Sequence, residues 1–231
     1  MKPILLFILL FCFKQFSFAQ KEFSMDDDGV YAVINDSDGF TNVHTSANVN
    51  SPITGKIYTY HVFTCEVNKT NWWKVLYIAR DNSGKSNWIE GYIYKTKVSL
   101  LLDWKTINGK TEKIKVRVNT SSYLRTKHKF LKIDNDTYLI DGKRFWGTDG
   151  EIPKTGISSV QISTDNIPII LPENAYDDLY EPGLETLTYT YGPGNTIYIR
   201  MDNSDGAGGY TIIWIIKHNK YYARYIDDSM V

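Results

Sequence analysis

Cys65 is the residue of this chain that could most directly act as a nucleophile. It lies in Val62-Phe63-Thr64-Cys65-Glu66-Val67, an alternating run typical of a β-strand. The nearest histidine, His61, is about 13 Å away if the strand is regular. A catalytic thiol needs a base within hydrogen-bond distance. We therefore predict that Cys65 is a core residue and not a nucleophile.

The remaining histidines and serines form no motif typical of a metal or hydrolase site. The four histidines show no His-x-x-x-His or His-x-His spacing, and no G-x-S-x-G run occurs; the histidines are at positions 44, 61, 128 and 218. We accordingly predict no metal site, no cofactor and no enzymatic activity.

Acidic residues leave two alternatives open. The loop Asp202-Asn203-Ser204-Asp205-Gly206 carries oxygen ligands of the kind that calcium prefers, although Asp-Gly is also a hairpin turn signal. Asp149 with Glu151, or Asp177 with Asp178, could serve as the catalytic carboxylates of a glycosidase. Acidic residues beside Gly and Pro are usually turn formers, which favours the structural interpretation.

The N-terminus has the pattern of a secretory signal peptide. Lys2 precedes an apolar run that ends at Phe13, and Ser17-Phe18-Ala19 supplies small residues at the positions read by a signal peptidase. We predict a signal peptide over 1–19 with cleavage before Gln20, a tail over 20–28, and a secreted or periplasmic protein. The apolar run is too short to span a bilayer, so we expect no membrane span in the mature chain. Lipidation at Cys12 is an alternative.

Composition indicates a β-rich globular protein. The formal charge is +0, which gives no basic surface for nucleic acid. Aromatic residues make up 14% of the chain, with 17 Tyr and 6 Trp. Such residues suit half-buried sheet faces, and they can also line a binding surface.

The pattern along the chain predicts a mainly β, antiparallel fold in two units. We expect a barrel over 29–100, a linker over 101–112, and a β-rich domain over 113–231 in which an α+β arrangement remains open. His218-Asn219 is predicted to turn the last hairpin, and 172–180 is the best local helix candidate. The predicted strands are 30–34, 40–44, 55–60, 62–68, 72–79, 86–94, 113–118, 130–133, 138–140, 143–146, 157–162, 167–171, 187–191, 196–201, 210–216 and 220–226.

Four motifs in order resemble the bacterial SH3 family, small barrels found in exported cell-envelope proteins. They are Asp38-Gly39-Phe40-Thr41-Asn42-Val43, Ser51-Pro52-Ile53-Thr54-Gly55-Lys56-Ile57, Trp72-Trp73-Lys74-Val75 and Gly91-Tyr92-Ile93. His44 stands where the family usually has Arg. The C-terminal part resembles extension domains that accompany such barrels in Bacteroidetes proteins, with Trp146-Gly147-Thr148-Asp149-Gly150 among its marks.

The resemblance implies a non-catalytic module that binds a peptidoglycan peptide or a cell-envelope protein. An aromatic groove suits an extended peptide. The candidate groove residues are Trp72, Trp73, Tyr92, Tyr94, Asn42 and His44. Neighbouring strand residues face opposite sides, so only one of the two tryptophans can face the core. The alternatives are a cell-wall hydrolase with its active site in 113–231 and an exported inhibitor or immunity-like protein.

Overall fold

The computed structural model of the protein describes residues 30–80, 86–108, 113–133, 138–203 and 208–228. The predicted signal peptide and tail lie outside these ranges, as do residues 81–85 and positions 204–206 of the acidic loop. Within the described ranges, no helix is long and apolar enough to cross a membrane.

The prediction of a mainly β fold with antiparallel sheets is confirmed. The first seven strands form one sheet, in the order β3-β2-β6-β5-β4-β1-β7, which curls into a half-barrel. Its core includes Ile34, Val43, Phe63, Val75 and Ile93. The strands are β1 (Val30–Ile34), β2 (Phe40–His44), β3 (Ile53–Tyr58), β4 (Val62–Glu66), β5 (Trp72–Arg80), β6 (Ser86–Tyr94) and β7 (Val98–Leu100).

The rest of the described chain forms three further sheets. A five-stranded sheet has the order β17-β16-β15-β14-β8, a three-stranded sheet has the order β13-β12-β9, and β10 pairs with β11. The strands are β8 (Thr106–Asn108), β9 (Ile114–Ser122), β10 (Phe130–Lys132), β11 (Tyr138–Ile140), β12 (Thr155–Thr164), β13 (Ile167–Ile169), β14 (Thr188–Gly192), β15 (Thr196–Asn203), β16 (Tyr210–Lys217) and β17 (Lys220–Asp227).

The C-terminal meander follows the sequence pattern closely. Strands β14 to β17 pair consecutively, as predicted. His218 and Asn219 both have positive φ, 49° and 56°. Positive φ at both central residues is the geometry of a two-residue turn that matches the twist of its strands. The prediction that this dipeptide turns the last hairpin is therefore confirmed.

Two predicted elements are wrong. The helix expected over 172–180 is only a 3₁₀ turn, Glu173–Ala175. Tertiary contacts hold this segment in an irregular path: the Trp214 indole N–H donates to the carbonyl of Ala175 at 2.9 Å. The strand expected over 143–146 is replaced by isolated bridges at its two ends, to Ile140 and to Leu179.

The segment predicted as a linker, 101–112, contributes to both halves of the molecule. Leu101 is buried in a core shared by the two halves. Strand β8 pairs with β14 and forms one edge of the five-stranded sheet. The chain between the halves is thus built into the packed structure where the structure describes it.

Strand β16 is buried on both faces. Ile212, Trp214 and Ile216 pack in the core between the five-stranded and three-stranded sheets. Ile213 and Ile215 point to the other face, toward the N-terminal sheet. A strand covered on both sides is expected to be an unbroken apolar run, and Tyr210-Thr211-Ile212-Ile213-Trp214-Ile215-Ile216 fits that pattern.

This second face of β16 is part of a core that joins the two halves. We call it the shared core. Its N-terminal members are Tyr31, Val33, Val62, Ile78 and Leu101, and its C-terminal members are Tyr198, Ile213, Ile215 and Tyr225.

A polar contact crosses the same boundary. The Tyr31 hydroxyl donates a hydrogen bond to the buried carboxylate of Asp227, with 3.0 Å between the oxygen atoms. The Arg200 guanidinium lies 4.9 Å from the centre of the Tyr31 ring. A buried carboxylate requires such partners, because leaving it unpaired would cost several kcal/mol.

We expect the two halves to unfold together because they share this core. Ile215→Ala should lower the free energy of unfolding by about 2–5 kcal/mol, the usual cost of such a cavity. The measurement is urea unfolding followed by tryptophan fluorescence and by far-UV circular dichroism. Ile170→Ala, at a side chain that is 87% exposed, is the control and should change stability by less than about 0.5 kcal/mol. Two separate transitions in the unaltered protein would contradict the shared core.

Candidate functional site

Trp72 and Tyr94 form the centre of an aromatic patch on the N-terminal sheet. They are directly opposite each other on β5 and β6. Their ring centres are 5.5 Å apart, with planes at 85°. His44 approaches Trp72 from β2 in a second edge-to-face contact, with 5.4 Å between ring centres. This geometry is favourable for aromatic pairs and fixes the rings relative to one another.

Tyr92 lies next to His44 because β2 approaches β6 closely at this residue, and it completes the patch. Tyr92 pairs with His44, next to a register irregularity between Val43 and His44. A Cβ on Gly91 would lie 2.3 Å from the backbone oxygen of His44, so only glycine permits this approach. Tyr92 and Tyr94 are two residues apart on β6 and share a face. We define the aromatic patch as His44, Trp72, Tyr92 and Tyr94.

Trp73 lies on the opposite face of β5 and is not part of the patch. It pairs with the buried Ile93 and packs against the N-terminal core. Its indole N–H donates to the carbonyl of Asn68 at 3.1 Å. Of the two tryptophans, Trp73 is thus the inward residue and Trp72 is the outward one.

Asn42 lies two residues before His44 on β2, on the same face of the strand. It pairs with Lys56 on β3, and its side-chain oxygen is buried without a hydrogen-bond partner among the described residues. Four of the six candidate groove residues thus form the aromatic patch, and Asn42 lies on the same face of β2 as His44. Only Trp73 of the six packs against the core.

Charged side chains border the patch. Lys74 is two residues from Trp72 on the same face of β5 and pairs with Tyr92. Its ammonium group lies 3.0 Å from Glu90 and 3.6 Å from Glu66. Two carboxylates against one ammonium favour a neutral or cationic ligand over an anionic one. These three residues are not among the candidates predicted from the sequence, although the two-residue spacing of Trp72 and Lys74 is a signal that they share a face.

Cys65 has the environment of an inert thiol. Its side chain is 2% exposed, and burial, assisted by the nearby Glu66, raises its pKa to about 12. His61 does not approach it; the imidazole Nδ1 lies 2.7 Å from the Tyr77 hydroxyl instead. A thiolate is therefore strongly disfavoured at neutral pH.

Three of the carboxylates considered for catalysis or metal binding are engaged in structural contacts, whereas the other two described ones, Asp149 and Glu151, are exposed. Asp177 pairs with Lys143, Asp178 pairs with Arg224, and Asp202 accepts from both Arg200 and Thr211. Across the described residues, no group of three or more His, Cys, Asp or Glu side chains is arranged to hold a metal ion.

No protein-family model, curated protein or solved structure shows a significant match to this chain.

We expect Cys65 of the folded protein, produced from Gln20 onward, to resist Ellman's reagent at mildly alkaline pH, because its pKa is raised and its sulfur is buried. Unfolding in guanidinium should release one full equivalent of reactive thiol. The matched control is Val67→Cys in a Cys65→Ala background: Val67 is 51% exposed, so a thiol there should react promptly. Rapid labelling of Cys65 in the folded protein would contradict this account.

Proposed function

We propose that the protein is an exported, non-catalytic binding protein, and that its N-terminal sheet is an SH3-like module that recognises a peptide or protein of the cell envelope. The observation that carries this proposal is the aromatic patch, in which four residues predicted from the sequence lie together on one outward face. The order of the bacterial SH3-like motifs supports the assignment of the module.

The patch has the chemistry needed to bind an extended chain. Its rings are held by edge-to-face contacts, so little side-chain entropy is lost when a ligand packs on them. Tyr94 is 38% exposed and available for contact. The neighbouring carboxylates of Glu66 and Glu90 can attract a cationic group on the ligand toward the aromatic faces. A wall peptide or a basic, extended protein segment fits this combination.

The test is co-sedimentation of the mature protein, beginning at Gln20, with purified peptidoglycan. Trp72→Ala and Tyr94→Ala should each weaken retention by about tenfold or more, as expected when a central aromatic contact is removed. Trp104→Ala is the matched control, because Trp104 is exposed to a similar extent, 36%, and lies outside the patch. It should sediment as the unaltered protein does.

The other outcomes of the same experiment are informative. Retention that is insensitive to both patch substitutions would contradict the patch as the binding surface. Soluble fragments released from the peptidoglycan would contradict a non-catalytic role and favour the hydrolase. Protein that stays in the supernatant with nothing released would contradict the wall-peptide form of the proposal.

A further inference from the structure

A second concave site lies at the boundary between the two halves of the molecule. It is a cleft of about 740 Å³, lined from the N-terminal half by His61 and Tyr77 and from the C-terminal half by Arg144, Tyr222 and other residues. Tyr77 is five residues beyond Trp72 on β5, about 17 Å along the strand. The cleft is therefore separate from the aromatic patch, and its volume is in the usual range for a small-molecule site.

One wall of the cleft is aromatic. The Tyr222 ring is 45% exposed and lies 6.2 Å from the ring of His61 and 6.1 Å from that of Tyr60. Burial lowers the pKa of His61, so its imidazole is neutral at neutral pH. The hydrogen bond between His61 and Tyr77 fixes both side chains. This wall therefore offers an aromatic surface for an apolar or aromatic group, with the Lys217 ammonium 5.7 Å from the centre of the Tyr222 ring.

Another part of the cleft wall carries charges that are paired with one another. The Arg224 guanidinium makes two contacts of 2.5 Å with the carboxylate of Asp178, and Lys143 contacts Asp177 at 2.5 Å. Trp146 lies beside this pair, with the Arg224 guanidinium 5.9 Å from its ring centre. These residues hold the wall in place and contribute no net charge.

Arg144 is the uncompensated cation of the cleft. It is exposed and lines the cleft, and within the described part of the chain no carboxylate pairs with it. A guanidinium binds a carboxylate through two parallel hydrogen bonds. Because the other charged side chains that line the cleft are paired, Arg144 gives the cleft one net positive charge, which a ligand with a single negative charge matches.

We infer that this cleft binds an organic carboxylate that carries an apolar or aromatic group. Arg144 holds the carboxylate, and Tyr222 with the neutral His61 packs against the apolar group. A free organic acid and the C-terminal end of a peptide share this chemistry. The inference does not depend on the function proposed for the aromatic patch, because the two sites share no residue.

The experiment is an NMR titration of the ¹⁵N-labelled mature protein with N-acetylphenylalanine and with its carboxamide, which lacks only the negative charge. The acid should bind about tenfold more tightly than the amide, the usual effect of a charge-assisted contact, and should shift the amides of Arg144 and Tyr222. Gly-Gly-Phe in a third titration distinguishes the two sources. Tighter binding than N-acetylphenylalanine indicates a peptide end, and weaker binding indicates a free acid.

Variants decide whether the named residues are responsible. Arg144→Gln should reduce binding of the acid by about tenfold and leave the amide unaffected, whereas Arg125→Gln, at an exposed arginine outside the cleft, should change neither. Tyr222→Ala should weaken both ligands, because it removes the aromatic wall. Equal binding of acid and amide, full binding by Arg144→Gln, or no shifts at about 10 mM ligand, the limit of weak binding, would each overturn the inference.

Discussion

The structure depends on the burial of strand β16 on both of its faces. One face, with Trp214 at its centre, closes the core between the five-stranded and three-stranded sheets. The other face, with Ile213 and Ile215, closes the shared core against the N-terminal sheet. Apolar burial of this extent is the main source of stability in a protein that has one cysteine among its described residues and therefore no disulfide there. Each half therefore covers apolar residues of the other half in the shared core. Those residues would be exposed to water if the halves separated.

The same packing decides which surfaces remain available for binding. At Ile78, β5 packs in the shared core, whereas its first residue, Trp72, lies outside that core and is half-buried. The aromatic patch lies at this end of β5, where His44 and Tyr94 contact Trp72. The cleft lies at the boundary between the halves. The packed structure thus carries an aromatic patch on the N-terminal sheet and, separate from it, a cleft at the boundary between the halves.

Local sequence patterns predict much of the fold. The features that they do not predict are determined by tertiary contacts. The bounds of β1, β2, β6 and β11 match the predicted ranges, because alternation and turn residues are local signals. Strand period showed that one of Trp72 and Trp73 faces outward, but only the pairing with Ile93 shows that Trp73 is the inward one. The apolar run of β16 predicted a strand, but only the packed structure shows that both faces of this strand are covered. Arg144 and Tyr222 are far apart in the sequence, and no sequence motif indicates that they line the same cleft.

The central claim is that the aromatic patch is the recognition surface of the protein. The most direct measurement is an NMR titration of the protein, produced from Gln20 onward, with soluble peptidoglycan fragments, with backbone amides and tryptophan indoles followed together. The account predicts that the largest shifts occur at Trp72, Tyr92 and Tyr94, including the indole of Trp72, while the core-facing Trp73 indole changes little. Shifts confined to other surfaces, or no shifts at saturating fragment, would contradict it.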